Sequence, residues 1–348
     1  MTSTTDLETS CRRRGLHRVL RFLAIVPVLG LLVQIGACGP TYQTAGPPRT
    51  EAALTGDALV MADGYRLPVR VHRAVGPEPL AVVVALHGFN DYSNAWAEST
   101  GRWSANGLTV YAYDQRGFGQ ADRRGIWPGV DTLTGDLRQV IGVVRERHPG
   151  KPLYLVGESM GGAVIMALLG RPDPPEVDGA VLAAPAVWSR KTMANWMASG
   201  LEILRTIIPG VVLTGEGIRK QASDNIEMLI GLGRDPLVIK GARVDAISGL
   251  VDLMDAAYEA APKIDTPLLV LYGERDEIVP QASVEKTLDR MTVEPDLAFY
   301  PKGWHLLFRD LNGPIVQHDV WHWIVRGGPR LPSGADRRAE TRLARSEQ

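Results

Sequence analysis

Residues 153–169 read LYLVGESMGGAVIMALL, a short apolar run that leads through a glycine-rich turn into a longer apolar run. The first run is typical of a strand buried on both faces of a parallel sheet. The second run contains no proline and suits a buried helix. The turn is a G-x-S-x-G pentapeptide centred on Ser159. This order of elements predicts a serine hydroxyl presented at the carboxyl end of a strand; the alternative is an ordinary glycine-rich turn with an inert serine.

Other short apolar runs repeat this pattern along the chain, and helical segments lie between several of them. The runs cover 58–62, 67–73, 80–86, 108–113, 180–183, 268–272 and, more weakly, 297–300. The first two flank Asp63-Gly64, a hairpin turn signal. Alternating strands and helices predict an α/β fold with a mostly parallel, doubly wound sheet. Sites in such sheets form at the carboxyl ends of the strands.

One long segment, 186–262, interrupts the alternation because it carries little strand signal. It contains Trp188, Trp196 and apolar stretches. We predict that it is an inserted helical lid over the active edge of the sheet. The alternative is that its helices belong to the ordinary scaffold.

A serine hydroxyl is a weak nucleophile unless a neighbouring base removes its proton. His305 follows the last predicted strand and is the candidate base. His87 directly follows the run 80–86, and we expect it to shape that loop. His318 and His322 form an H-D-V-W-H pattern that imitates the zinc motif H-E-x-x-H. Its acidic residue is Asp and no third ligand is apparent, so we expect no metal there.

The base needs a carboxylate that holds its tautomer. Asp276 follows the run 268–272 and is the candidate acid, with Glu274 and Glu277 in reserve. Asp265 precedes that run and so lies at the wrong end of the strand. The chain order of serine, acid and histidine is the order found in α/β-hydrolases.

Two backbone N–H groups are needed to stabilise the oxyanion of an acyl-transfer reaction. The amide of Met160 follows the candidate nucleophile directly. The amide of Phe89, in the loop that begins with His87-Gly88, is the candidate second donor. These positions complete the predicted site.

Five motifs together resemble one branch of the α/β-hydrolases, the monoacylglycerol lipases and lysophospholipases. This branch is similar to serine aminopeptidase S33. The resemblance covers about residues 56–325. It implies a serine ester hydrolase that forms an acyl-enzyme, with a single-chain lipid ester as substrate, such as a monoacylglycerol or a lysophospholipid, and with no metal or organic cofactor. The motifs are His87-Gly88-Phe89, Asp114-Gln115-Arg116-Gly117-Phe118-Gly119, Gly157-Glu158-Ser159-Met160-Gly161-Gly162, Gly273-Glu274-Arg275-Asp276 and Trp304-His305.

Other functions fit the same motifs. An acyltransferase, a small-ester esterase or a peptidase could use the same three side chains. A binding protein with a dead hydrolase domain belongs to another class, but all three predicted catalytic positions are filled. A formal net charge of -1 gives no electrostatic case for nucleic acid as a partner.

The N-terminal region resembles the export signal of bacterial lipoproteins. Several arginines precede the run 22–37, which is apolar apart from Gln34 and too short for a typical membrane span. The run ends Ile35-Gly36-Ala37-Cys38, similar to a lipobox, so we predict a signal peptide over 1–37 and lipidation of Cys38. An ordinary signal peptide or an uncleaved anchor is the alternative. The predicted location is the bacterial cell envelope, with the protein lipid-anchored to a membrane, at the outer membrane or the periplasmic face.

Composition predicts how the rest of the chain is divided. Residues 38–56 are rich in Gly, Pro and Thr and are expected to form a flexible tether. The hydrolase domain is expected over 57–326. Residues 327–348 are charged and poor in apolar side chains, which predicts a disordered tail.

Overall fold

The computed structural model describes residues 39–215 and 220–346. Eleven strands within this part of the chain form one large and one small sheet. The nine-stranded sheet has the order β1-β2-β3-β5-β4-β6-β7-β10-β11. The strands are β1 (Ala53–Thr55), β2 (Ala58–Val60), β3 (Arg66–His72), β4 (Ala81–Leu86), β5 (Leu108–Tyr113), β6 (Leu153–Glu158), β7 (Gly179–Ala183), β8 (Val212–Thr214), β9 (Gly241–Arg243), β10 (Leu268–Gly273) and β11 (Asp296–Tyr300).

The large sheet is parallel from β5 to β11, and β1, β2 and β3 add an antiparallel edge. The predicted α/β fold with a mostly parallel sheet is therefore confirmed. The predicted hairpin at Asp63-Gly64 joins β2 to β3. The helices that flank the sheet or belong to the insert are α1 (Ala97–Ala105), α2 (Val130–Arg147), α3 (Met160–Leu169), α4 (Asn195–Ile207), α5 (Ile226–Arg234), α6 (Val244–Ala260), α7 (Gln281–Leu288), α8 (Gly313–Arg326) and α9 (Ala335–Ser346).

Two apolar clusters cover the two faces of the sheet, and β4 contributes to both because its side chains alternate. Val82 and Val84 point into the cluster that contains α2, α3 and α6. Val83 and Ala85 point into the cluster that contains α1 and α8. Burying one valine side chain contributes about 1.5–3 kcal/mol, so a strand with the sequence AVVVAL is stable only between two helical layers.

The predicted lid over 186–262 is too long at its C-terminal end. In α6, Leu253 and Ala257 are fully buried in the core. A methyl group on Gly170, which follows α3, would overlap Ala260. Thus α6 is a scaffold helix, as the alternative interpretation held. The inserted part is shorter and contains α4, α5 and an antiparallel pair of β8 and β9, strands too short to give a sequence signal.

The predicted tether is wrong for most of its length, because the chain packs onto the domain from residue 41 onward. The Thr41 amide donates to Asp245 at 3.0 Å, and Gln43 Nε2 donates to the carbonyl of Ile126 at 2.7 Å. Gln43 is buried. Glycine- and proline-rich composition predicted flexibility, but hydrogen bonds to the backbone fix this segment.

The predicted disordered tail is also wrong, because α9 packs against β11. Ala335 and Ala339 are buried four residues apart on one face of α9, and Leu331, which precedes the helix, is buried as well. The Arg338 side chain donates to the carbonyl of Phe299 on β11 at 3.3 Å. Small alanines between charged residues give the segment a polar composition, although one face is apolar.

The predicted signal peptide and Cys38 lie outside the described residues. Within 39–215 and 220–346, no helix combines the length and the apolar composition needed to cross a bilayer.

Candidate active site

Ser159 lies between β6 and α3 in a strained backbone conformation, with φ 53° and ψ −113°. A positive φ is uncommon for a residue that is not glycine and costs about 1–3 kcal/mol. Three backbone hydrogen bonds hold it: the Ser159 amide donates to Ala183 at 2.9 Å, and its carbonyl accepts from Ala163 and Ala186 at 3.1 and 3.0 Å. The predicted strand–turn–helix arrangement is present, with the serine at the carboxyl end of β6.

Two glycines make this turn sterically possible. A Cβ on Gly157 would overlap the backbone of Gly161, and a Cβ on Gly161 would overlap the carbonyl of Leu86 on β4. The pattern of glycines around Ser159 therefore reflects close packing of β6, α3 and β4.

His305 is buried and hydrogen-bonded to the predicted acid. Its Nδ1 lies 2.8 Å from Oδ2 of Asp276. The other carboxylate oxygen of Asp276 accepts from the amides of Ile278 and Val279 at 2.7 and 3.0 Å. A carboxylate in this position requires the proton on Nδ1, so Nε2 of His305 is left as the acceptor.

The two reserve carboxylates are directed elsewhere. The Glu277 carboxylate accepts from the amide of Gln221 at 2.8 Å, and Glu274 is exposed. In the described part of the chain, the Ser159 hydroxyl forms no hydrogen bond to His305. Contacts of this kind are often long before substrate binds and tighten in the complex.

His87 is fully buried and organises the loop that follows β4. Its Nε2 accepts from the amide of Gln115 at 3.0 Å, which leaves the proton on Nδ1 for the carbonyl of Gly88 at 2.8 Å. Burial lowers the pKa of His87, so the ring is neutral. This geometry fits the expected role in shaping the loop.

The loop after His87 approaches the nucleophile closely. A Cβ built on Gly88 would lie 3.5 Å from Cβ of Ser159. The amide of Asp91 donates to the Gly88 carbonyl at 3.3 Å and closes a turn that contains Phe89, the predicted oxyanion donor. The Phe89 ring packs on Trp127, with centroids 6.2 Å apart. The second predicted donor, Met160, begins α3.

A buried ionic cluster that no sequence motif indicated lies beside the site. Nη1 of Arg309 lies 2.7 Å from Oδ2 of Asp91, and its Nη2 donates to Oε2 of Glu158 at 2.7 Å. All three residues are buried. Burial raises the pKa of Glu158, and the charge of Arg309 opposes this rise. The available signal was the presence of charged residues inside otherwise apolar or glycine-rich motifs.

The insert is attached to the loop that carries His305. The Leu306 amide donates to the carbonyl of Ala222 at 3.0 Å, and the Ser223 hydroxyl donates to Asp310 at 2.6 Å. Burial raises the pKa of Asp310 to about 6. A movement of the insert near residue 222 would therefore shift the loop that carries His305, residues 301–312, which we call the base loop.

The outer surface of the insert is apolar. Trp196, Ile203 and Ile207 of α4 expose 76%, 57% and 65% of their surface, and their spacing places them on one helical face. On α5, Ile226 and Ile230 are also exposed. Contiguous exposed apolar side chains mark surfaces that contact lipid or other apolar partners.

The H-D-V-W-H motif lies on α8. Asp319 is buried and accepts from the Tyr300 hydroxyl at 2.9 Å, while the His318 ring stacks on Trp321. Among residues 39–215 and 220–346, no group of three or more His, Cys, Asp or Glu side chains is placed to bind a metal ion. The acidic residue of this motif thus links β11 to α8.

A mostly parallel sheet, a serine in a strained turn after a central strand and a buried histidine–carboxylate pair define an α/β-hydrolase. The chain belongs to the family described as serine aminopeptidase, S33, whose sequence profile matches residues 77–312. The monoacylglycerol lipase of Mycolicibacterium smegmatis is 29% identical over 252 residues, 71% of this chain and 89% of that protein. The human monoglyceride lipase is 26% identical over 270 residues, 76% of this chain and 88% of that protein. The chain is a serine ester hydrolase.

Solved structures share the fold. A monoacylglycerol lipase of Paleococcus ferrophilus superposes with a TM-score of 0.63 at 24% identity, covering 75% of this chain and 99% of that chain. A soluble variant of the Saccharomyces cerevisiae monoglyceride lipase, in complex with a substrate analogue, gives a TM-score of 0.66 at 21% identity, covering 83% and 98%. These similarities confirm the predicted α/β-hydrolase fold.

The packing around Ser159 predicts that replacing each of two glycines with alanine has very different effects on stability and activity. Gly161→Ala would push a methyl group into the backbone of Leu86, and we expect the midpoint of thermal unfolding to fall and esterase activity to be lost. Gly142→Ala is the matched control, because Gly142 lies in α2 with open space around it and alanine favours a helix by about 1 kcal/mol. Equal midpoints for the two variants would contradict the tight turn.

Proposed function

We propose that this hydrolase cleaves the ester bond of a single-chain lipid, preferably a monoacylglycerol, through an acyl-enzyme on Ser159. The hydrogen bond between His305 and Asp276 is the observation that carries this proposal, because it leaves Nε2 of the ring as an acceptor. In the first step His305 takes the proton of Ser159 as its oxygen attacks the ester carbonyl.

The oxyanion of the tetrahedral intermediate is held by the amides of Phe89 and Met160. A donor of this kind contributes about 3 kcal/mol in the transition state. His305 then protonates the leaving alcohol. Water attacks the acyl-enzyme by the same route, with His305 again as base, and releases the fatty acid and Ser159.

Two observations support a lipid substrate. The relatives named above include monoacylglycerol and monoglyceride lipases. The exposed apolar face of α4 is also suited to contact with a lipid surface, because large apolar side chains gain free energy when they leave water.

We place the head group in a cavity of about 560 Å³ beside Asp91 and Arg309, which the carboxylates of Glu98, Glu227 and Asp235 line. The charge of Arg309 is already matched by Asp91 and Glu158. A phosphodiester without a compensating cation would meet net negative charge in this cavity, whereas the glycerol of a monoacylglycerol would not, so the proposal includes a neutral head group.

We also propose that the protein is exported and lipidated at Cys38, and so anchored in a bacterial envelope membrane. The basic segment, the apolar run and the Ala37-Cys38 junction support this proposal. Several acyl chains on one cysteine would anchor the domain stably.

Replacing the acid tests the catalytic assignment. In Asp276→Asn the amide leaves His305 in the wrong tautomer, and we expect kcat to fall about 10⁴-fold, as in other triads. Glu274→Gln is the matched control, because Glu274 is an exposed carboxylate in the same loop. Steady-state hydrolysis of p-nitrophenyl butyrate measures both. A Glu274→Gln variant that loses activity while Asp276→Asn keeps it would reverse the assignment.

A lipid panel tests the substrate. Monoacylglycerol, diacylglycerol and lysophosphatidylglycerol with the same acyl chain should be hydrolysed with decreasing kcat/KM, and Ser159→Ala should hydrolyse none of them. A preference for the lysophospholipid would contradict the neutral head group. Transfer of the acyl chain to an added alcohol in preference to water would favour the acyltransferase alternative.

Membrane anchoring has a direct test in a bacterial host. Cys38→Ser should move the protein from the membrane fraction to the soluble fraction, and labelling with a radioactive fatty acid should be lost. Cys11→Ser is the control, because Cys11 lies within the predicted signal peptide. A Cys38→Ser variant that stays in the membrane fraction would contradict lipidation.

A further inference from the structure

We infer that Arg309 is a positioning residue for ester hydrolysis, because its guanidinium joins the three loops on which the site depends. Arg309 lies four residues after His305 on the base loop. It is paired with Glu158, which directly precedes Ser159, and with Asp91, two residues after Phe89. This inference rests on the proposed function, since it concerns the geometry of that site.

The contact with Asp91 fixes the loop that contains Phe89, which we call the oxyanion loop. One carboxylate oxygen of Asp91 accepts from the amide of Tyr92 at 2.9 Å, and the other pairs with Arg309 at 2.7 Å. The Asp91 amide closes the turn that contains Phe89. Since a Cβ built on Gly88 would lie only 3.5 Å from Cβ of Ser159, the turn runs close to the nucleophile, and a small shift of this turn would move the oxyanion donor relative to it.

The contact with Glu158 fixes the turn that carries the nucleophile Ser159. Glu158 is the last residue of β6, so its side chain moves with the turn that carries Ser159. Arg309 also contacts the insert through its carbonyl, which accepts from Nδ2 of Asn225 at 3.0 Å. One side chain therefore couples the nucleophile, the oxyanion loop and the base loop.

Only a guanidinium suits this position. Its planar fork directs separate N–H groups to two carboxylates, whereas the ammonium of lysine is a point charge. Without the cation, Asp91 and Glu158 would be two buried carboxylates that repel each other; burial and, to a lesser extent, the charge of Asp91 already raise the pKa of Glu158. Arg309→Lys keeps every formal charge but loses the planar fork of N–H groups. The variant therefore tests the positioning of the two carboxylates separately from their charge balance.

The experiment compares Arg309→Lys with the wild-type full chain. We expect kcat on p-nitrophenyl butyrate to fall about 10- to 100-fold, as for a displacement of about 1 Å, with KM little changed. The rate of labelling by a fluorophosphonate should fall in proportion. The pH dependence of kcat should keep its shape, because Arg309→Lys changes no formal charge.

Arg116→Lys is the matched control. Arg116 is equally buried and also bridges two carboxylates, Asp63 and Asp136, at 2.9 and 2.8 Å, but these link the β2–β3 hairpin to α2. It should lower the midpoint of thermal unfolding and leave kcat unchanged. If both lysine variants lose kcat in step with their unfolding midpoints, Arg309 is merely structural and the inference is wrong.

The remaining outcomes separate this inference from the proposed function. A wild type that neither hydrolyses esters nor reacts with the fluorophosphonate contradicts the proposed function itself. An active wild type with an Arg309→Lys variant of unchanged kcat contradicts only the positioning role. If Arg309→Lys does not fold, Asp91→Asn weakens the same bridge without leaving the cation unpaired. An unchanged kcat in that folded variant would also overturn the inference.

Discussion

The left-handed backbone at Ser159 is the constraint on which the rest of the structure depends. A serine held at φ 53° is unfavourable by itself, so the surrounding sheet and helix must impose it. They do so because Gly157 and Gly161 let α3 start directly against β6 and β4, with no room for a side chain. The rigidity of the sheet and of the helical layers that cover it keeps the Ser159 hydroxyl at the carboxyl end of β6.

Charge is distributed unevenly around this hydroxyl. On one side, Asp276 is held by backbone amides and by His305, so a single carboxylate orients a single ring. On the other side, Arg309 is shared between two buried carboxylates. Buried charges are tolerated only when they are paired and hydrogen-bonded. The site is therefore built from two ionic units with different tasks: one sets the tautomer of a base, and the other joins segments that are distant in the sequence.

Sequence patterns predicted every strand of the large sheet except β1, because buried parallel strands are short apolar runs. They also pointed to Ser159 as the candidate nucleophile, because the serine turn needs glycine. They failed where structure depends on partners distant in the sequence. Gln43 is fixed by the carbonyl of Ile126, which no local pattern records. The tail looked polar because the buried face of α9 consists of alanines such as Ala335. The charged residues stood out within apolar or glycine-rich motifs, but the pairing of Arg309 with Asp91 and Glu158 could not be predicted, since these partners come from distant segments.

The cover that α9 provides for β11 has a consequence for how the protein is made. β11 is an outer strand, and its free edge would otherwise offer unpaired carbonyls to any other extended chain. Arg338 occupies one of these carbonyls, but it is synthesised almost forty residues after the strand it protects. A chain that emerges N-terminus first, from a ribosome or from an export channel, thus passes through an interval with an unguarded sheet margin. Nascent protein should be most prone to self-association in that interval, when the sheet is complete and its last helix is still missing.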